Sequence, residues 1–595
     1  MQSWKALMPC KWILLALLMV SSLAQGQDDT VMRAMKDELA RSMGQLQLQK
    51  MEKPYFLAYR AQDMVQQEIS ATLGSLTTSS GDPFRNRMLG VELRVGDYTL
   101  DNSNFFSLQR LRGGAGGMLG GIEQGSLDDN YAQIRREFWI ATDRQYKRAL
   151  EDLSAKKAAL KMRNGGETVA DFSKELTVNI TGSSMAIPLR PCDMESFARE
   201  LSAVFRTVPE IDRSSVTVNC RNIYTRYVNS EGTSFTRSEP LIKVQVSART
   251  HAADGLPISN TFTVYGHSVA DLSSKGDLLK RVQQMSALMR KLRSADYPEN
   301  YNGPVLFEGP AAGEVFLQQL GPRLAASRTP VSDNPQFEMF FNQMLDRMIG
   351  TSFQDKLGAR IMPQFISVRD DPTQTTFNGA SLMGSSIVDD DGVKTRETVL
   401  IEHGILKTLL NARTPVRGVL QSSGSRHGWG AIPSNLFVKS EKTLPEDELR
   451  KELLRRAKER GLDYAIVIRR VGGGSEASFM EMAREMAQAG SSGSLSEVFK
   501  LYADGHEEPL RGVHITELPA ESFKEIIATG DTPSLYSDEV IPRVGSLFTM
   551  GISAAGELPV VSCVSPSLLF EEVSLSKTQG PFPAKPVSPS PLAEK

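Results

Sequence analysis

The sequence predicts an α+β chain with more than one domain. Three observations carry that expectation. The chain has 595 residues, more than one hydrophobic core organises, and two or three domains suit that length. Apolar residues at helical spacing recur in well-separated segments. Between those segments lie many short runs of period-two alternation, each broken by Gly, Asp or Asn, which read as strands.

In chain order, residues 28–75 read as helical, led by "DDTVMRAMKDELARSMGQLQL" with its early acids. Strand character takes over in "PYFLAYRAQDMVQQEISATLGSLTTSS" and "RMLGVELRVGDYTLDNSNF". The run "RGGAGGMLGG", Arg112 to Gly121, has the composition of a loop or lid. A long amphipathic helix is expected from about Leu127 to Arg163, strands from Val216 to Val269, and a further helix from about Ala270 to Arg293. The second half opens at "YPENYNGPVLFEGPAAGEV" and mixes a helix, Gln336 to Ile349, with many short strands. "EDELRKELLRRAKERGLDYAIVIRRVGGG" reads as a helix–strand unit, and "EVFKLYADGHEEPLRGVHI" as a hairpin across Asp504-Gly505. The tail "KTQGPFPAKPVSPSPLAEK" is Pro-rich, a composition expected to stay disordered. No repeat of solenoid length is visible.

Lys and Arg total 68 against 70 Asp and Glu. That balance lacks the clustered positive charge with which a protein displaces counterions from nucleic acid. The first 26 residues place Lys5 and Lys11 before the apolar run Trp12 to Val20, and Ala24-Gln25-Gly26 fits a cleavage site. This reads as a secretory signal peptide, which makes the expected protein periplasmic or secreted. No stretch approaches the roughly 18 apolar residues of a membrane span. Beyond the signal stand Cys192, Cys220 and Cys563. A bridge from Cys192 to Cys220 and a pair of buried thiols are both open readings.

Candidate chemistry is sparse. The six histidines include no H-E-x-x-H pair, the spacing that turns two imidazoles toward zinc from one helical face. "HEEPLRGVH" sits on a strand after a turn, so His506 and His514 read as strand or surface residues. Asp389-Asp390-Asp391-Gly392 offers oxygens that could hold calcium, but a hairpin turn explains the same pattern. There is no G-x-S-x-G elbow and no phosphate loop.

Residues Arg369 to Val438, "RDDPT…GASLMGSSIVDDDGVKTRETVLIEHGILKTLLNARTPVRGVLQSSGSRHGWGAIPSNLFV", resemble the core of the TldD/PmbA family, the modulators of gyrase. "YADGHEEPLRGVHI" and "PVVSCVSPSLLFEEVSL" continue the likeness, and "LRVGDYTLDNSNF" and "RYVNSEGTSF" are similar to the family's N-terminal domain. The resemblance implies two domains: an α/β domain over 27–298 and a β-rich, barrel-like domain over 299–576, with 577–595 as the tail. It implies dimers in which one subunit type binds zinc through H-E-x-x-x-H and a distant Cys and cleaves unfolded peptides. The partner type lacks the ligands and helps enclose a chamber.

In the stretch "NGPVLFEGPAAGEVFLQQLGP", an ungapped match puts Phe307 and Ala312 where the family has histidines and leaves Glu308 as general base. With one residue inserted, Glu314 takes the second histidine position. "LFTMGISAAG" resembles the cysteine-bearing loop with Met550 at the ligand position, and Cys563 does not match. No metal is therefore expected, since ring, methyl and thioether groups do not replace imidazoles and a thiolate. The residues expected to line a peptide groove are Gly424, Arg426, His427 and Asn435. Arg426 suits either a peptide carboxylate or a structural ion pair. The expected role is a non-metallated subunit acting on peptides, paired with a zinc-bearing homologue or with itself. The alternatives are a peptidase using Glu308, Glu314 and a histidine such as His427, and a peptide-binding protein without catalysis.

Overall fold

In the computed structural model, residues 29–107, 122–163, 169–182, 191–349, 351–428, 430–472, 495–540, 558–578, 588 and 590–593 are described. The signal peptide, the run Arg112 to Gly121, Met550 and most of the Pro-rich tail lie outside them. The first helix, α1 (Thr30–Gln45), starts where Asp29 accepts a hydrogen bond from the Met32 amide at 3.0 Å. It does not continue to residue 75: Leu46 is extended, Lys50 has φ +62°, and Pro54 opens a strand. A proline has no N–H to donate into a helix and disfavours helical geometry before it.

That strand, β1 (Pro54–Thr72), joins β2 (Phe84–Val95). Helix α2 (Tyr131–Met162), capped by the Asn130 side chain, and α3 (Pro191–Ala203) follow. Then come β3 (Arg213–Asn229), β4 (Ser234–His251), β5 (Pro257–Gly266) and α4 (Lys275–Leu292). The five strands run antiparallel in the order β2-β1-β3-β4-β5 within an eight-stranded sheet. Strand periodicity gives the sheet two faces. Leu57, Tyr59, Ala61, Ile69 and Ala71 of β1 are buried on the side covered by the four helices. Phe56, Ala58 and Arg60 point to the other side, where Phe56 and Ala58 cluster with Val388 of the second half.

The second half begins with β6 (Tyr301–Phe307), α5 (Pro310–Gln319) and α6 (Pro335–Ile349). Next are β7 (Ile366–Asp370), β8 (Thr398–Glu402), β9 (Asn435–Ser440), α7 (Glu446–Glu459), β10 (Tyr464–Arg470), β11 (Glu497–Tyr502) and β12 (Glu507–Leu510). The last strands are β13 (Val513–Glu517), β14 (Ile526–Gly530), β15 (Ser534–Glu539), β16 (Val560–Ser565) and β17 (Leu568–Lys577). One sheet runs β14-β17-β6-β10-β11-β12, and the other runs β8-β7-β9-β16-β15. Both are open, which corrects the barrel-like expectation: their outer strands do not pair to close a ring. Helix α5 lies inside the largest apolar cluster, against residues of both sheets. Helix α7 covers the opposite face of the first of these sheets, through Leu449, Leu453 and Ala457 against Leu306, Val467 and Leu569.

The halves meet through buried charge. Arg237 of β4 donates to Asp390 Oδ1 at 2.6 Å and to the Val388 carbonyl at 2.7 Å. Arg413 forks onto Glu231 at 2.6 and 2.9 Å. The Phe172 ring is held between two guanidiniums, Arg94 at 3.7 Å and Arg413 at 3.8 Å. Charges taken out of water require such partners, because an unpaired buried ion is costly. Burial opposes ionisation of Asp390, but Arg237 and Arg60 hold its carboxyl well below the usual range. The Asp389–Gly392 segment is a hairpin turn, with Val388 bridged to Lys394 and Gly392 at φ +76°. Cys220 is a free, buried thiol that burial pushes up to about 12, so the structure does not bridge it to Cys192. Phe172→Ala removes the buried ring between two cations and should destabilise the protein by about 3–5 kcal/mol. Equilibrium denaturation of the variant measures this loss.

Candidate functional site

Strand β6 ends at Phe307, parallel to Ile468 of β10, and the Glu308 amide donates to the Ile468 carbonyl at 2.9 Å. Gly309, at φ +58°, makes the corner a side chain would resist, and Pro310 then starts α5. Phe307 and Ala312 are both fully buried; Phe307 lies on a strand and Ala312 on the helix, so they do not share one helical face. Phe307 packs edge-on against Phe570 at 5.3 Å.

Glu308 leaves the sheet on the α7 side. Its Oε1 accepts from Arg450 Nε at 2.7 Å, and its Oε2 accepts from Arg469 Nε at 2.7 Å. Both arginines continue to Glu507, at 3.1 Å from Arg450 and 2.7 Å from Arg469. The result is a half-buried ring of two acids and two guanidiniums. Arg469 and Arg470 are adjacent in β10, so period two sends them to opposite faces. Arg470 stands on the α5 side, directly across from Glu497 in the β10–β11 register.

Glu314 is 2% exposed and faces the end of β10. It accepts from the Val471 amide at 2.8 Å and the Gly472 amide at 3.0 Å. Burial pushes its carboxyl upward, while Arg470 and the two amides oppose that shift. Nearby, the Tyr536 hydroxyl donates to Asp538 Oδ2 at 2.8 Å. Tyr265 of β5 donates to Asp538 Oδ1 at 3.1 Å, tying the two halves together at this point.

The groove residues expected from sequence lie elsewhere. Arg426 is an ion pair with Asp391, and its backbone amide donates to Asp389 Oδ2 at 3.1 Å. His427 sits in the seam; burial holds its imidazole below the ordinary value against the pull of Asp390. Gly424 is packed inside, at φ +75°, and a Cβ there would lie 2.7 Å from the Lys394 carbonyl oxygen. Asn435 is fully buried and fastens a loop: its amide donates to Gln374 O at 3.0 Å and Asp371 O at 3.3 Å, and its oxygen accepts from Gly384 N at 3.0 Å. These residues build the scaffold of the seam and of that loop. Glu308, Glu314 and His427 share no hydrogen-bonding partner, so the structure does not assemble them as one catalytic set. The sequence reading missed Arg450, Arg469, Arg470, Tyr536 and Asp538; the pair "RR" at the end of a strand was the available signal.

The residues present do not fit a zinc ion. Phe307 and Ala312 offer no donor, both oxygens of Glu308 are claimed by guanidiniums, and Glu314 is spent on two amides. Among the described residues, no group of three or more His, Cys, Asp or Glu is arranged to hold a metal. Met550 is outside the described residues, and Cys563 is buried inside β16.

With that geometry in hand, comparison with known proteins is informative. Residues 304–577 match the family described as PmbA/TldA metallopeptidase C-terminal domain. The chain belongs to the TldD/PmbA family. A metalloprotease of Methanocaldococcus jannaschii is 39% identical over 113 residues, covering 18% of this chain and 23% of that one. A metalloprotease of Methanothermobacter thermautotrophicus is 28% identical over 229 residues, covering 33% and 49%. The matches thus span about a quarter and about half the length of these curated relatives. A solved structure from Thermotoga maritima, described as a candidate modulator of a DNA gyrase, aligns with a TM-score of 0.57 at 15% identity, covering 91% of this chain and 99% of that one. TldE from Thermococcus kodakarensis aligns at 0.53 and 13% identity, covering 91% and 100%. At these identities the two structures establish a shared fold for this TldD/PmbA-family chain. Among the described residues no helix is long and apolar enough to cross a membrane.

Asp370, at the end of β7, is fully buried; its Oδ1 accepts from the Ser434 amide at 2.8 Å and its Oδ2 has no partner. Burial pushes its carboxyl up to about 8, against the Ser434 and Asn435 amides. A carboxyl raised in the folded state holds its proton there after the unfolded chain has released it. Stability should therefore fall as pH climbs from about 4 to about 8. Asp370→Asn should remove that loss and be more stable than the parent at pH 7, as measured by denaturation at pH 5 and pH 7.

Proposed function

We propose that this chain is an exported, non-metallated subunit of a peptide-processing TldD/PmbA assembly. It pairs with a zinc-bearing homologue or with a second copy of itself, and peptides are its ligands. The observation that carries this reading is the fate of Glu308. A general base in a zinc peptidase must face a metal-activated water, whereas Glu308 points to the α7 side and accepts from Arg450 and Arg469. The apolar burial of Phe307 and Ala312 supports the same conclusion. The separate surroundings of Glu308, Glu314 and His427 count against a peptidase built from them. Export rests on the charged, then apolar, then small-residue pattern of residues 1–26.

Two outcomes are expected. The purified chain alone should leave an unfolded peptide intact, whereas adding a zinc-bearing homologue should give cleavage. Glu308→Gln should leave the rate of that reconstituted mixture unchanged within about twofold, since general-base removal in a working site costs on the order of 100-fold or more. A loss of that larger size would return Glu308 to catalysis. The N-terminus of the protein recovered from the producing cells' periplasm or medium should begin at Gln27; mass spectrometry reads it directly.

A further inference from the structure

Arg281, on α4, differs from the arginines that hold the two halves together. Arg237, Arg413, Arg426, Arg450 and Arg469 each bond a carboxylate. Arg281 is exposed and makes no hydrogen bond or ion pair among the described residues. Its guanidinium lies flat on the buried ring of Phe262, 4.2 Å from the centroid. Stacking uses the face of a guanidinium and leaves its edge, with the N–H fork, available.

The surroundings of that fork are built by both halves. Acids are present: Glu314 on α5 and Glu497 on β11 both act on Arg281, and Arg470 on β10 acts on it with like charge. Neither acid is bonded to Arg281. Glu314 is occupied by the Val471 and Gly472 amides, and Glu497 accepts from Asn260 of β5 at 3.2 Å. Desolvation, and then the positive charge of Arg470, push Arg281 down to about 10. A desolvated cation beside a second cation gains most from an anion that reaches its open edge.

The chemistry of the neighbours selects among anions. A planar, singly charged carboxylate matches the guanidinium fork in a bidentate pair. A phosphate, with nearly twice the charge, would meet stronger repulsion from Glu314, Glu497 and Asp538. We propose that Arg281, stacked on Phe262 and flanked by Arg470, is a receptor for a carboxylate of a bound peptide. The inference rests on the peptide-binding reading above and names the feature of the peptide that is recognised. The carboxylate is either the chain terminus or an acidic side chain; both present the same group.

The test uses the full purified chain and three fluorescein-labelled versions of one unstructured ten-residue peptide, read by anisotropy. One version has a free C-terminal carboxylate and no acidic side chain, one is amidated and free of carboxylates, and one is amidated with a Glu as its last residue. The parent protein should bind at least one carboxylate-bearing peptide about tenfold or more tighter than the carboxylate-free one, and the tighter of the two identifies the source. Arg281→Gln should abolish the preference, and Arg281→Lys should weaken it, with the thermal midpoint unchanged because the side chain is exposed. Equal binding of all three peptides, or a preference that survives Arg281→Gln, would overturn the assignment while leaving peptide binding intact. Failure of every peptide to bind would overturn the peptide-binding reading and this one with it.

Discussion

Two guanidiniums on one carboxylate decide how this molecule is understood. Arg450 and Arg469 take the two oxygens of Glu308 and are themselves steadied by Glu507. Isolated half-buried ion pairs contribute little, roughly 0–1 kcal/mol. The consequence here is orientation more than stability. The carboxylate is drawn to the α7 side of its sheet, and the strand-to-helix corner at Gly309 is held with it. Everything on the α5 side is then free to be an apolar core, and the structure fills it with Phe307, Ala312, Val315 and Phe316.

The same economy of partners runs along the seam between the halves. The open face of the N-terminal sheet carries arginines and aromatic residues, and the second half answers with Asp390, Asp391 and the hairpin that carries them. Burial pushes Asp389 up, with the neighbouring Asp391 adding to it, whereas Asp390 is held down by Arg237 and Arg60. Three consecutive acids thus have different environments because their partners differ. A turn in the sequence became a docking element in the fold.

Local features were legible in the sequence. The caps at Asp29 and Asn130, the long helix α2, the strand pair across Asp504-Gly505 and the helix–strand unit α7–β10 all follow from periodicity and turn chemistry. The first helix was drawn too long because β1 carries Gln62, Gln66 and Glu68 on its second face, and that polarity blurs the alternation. Whether a sheet closes into a barrel depends on pairing between distant strands, which no local window contains. Glu308 and Arg450 are 142 residues apart, so their pairing was equally hidden. For the same reason Arg426 and Asn435, attractive as groove residues, could not be seen to bond inward.

The account depends on the absence of a zinc-competent donor set around the β6–α5 corner. X-ray absorption at the zinc edge, on protein equilibrated with one equivalent of zinc and washed free of loose metal, tests this most directly. The account predicts an edge signal near background. A strong edge with tetrahedral nitrogen, oxygen or sulfur neighbours at about 2.0–2.3 Å, abolished by changing Glu308 and Glu314, would contradict it.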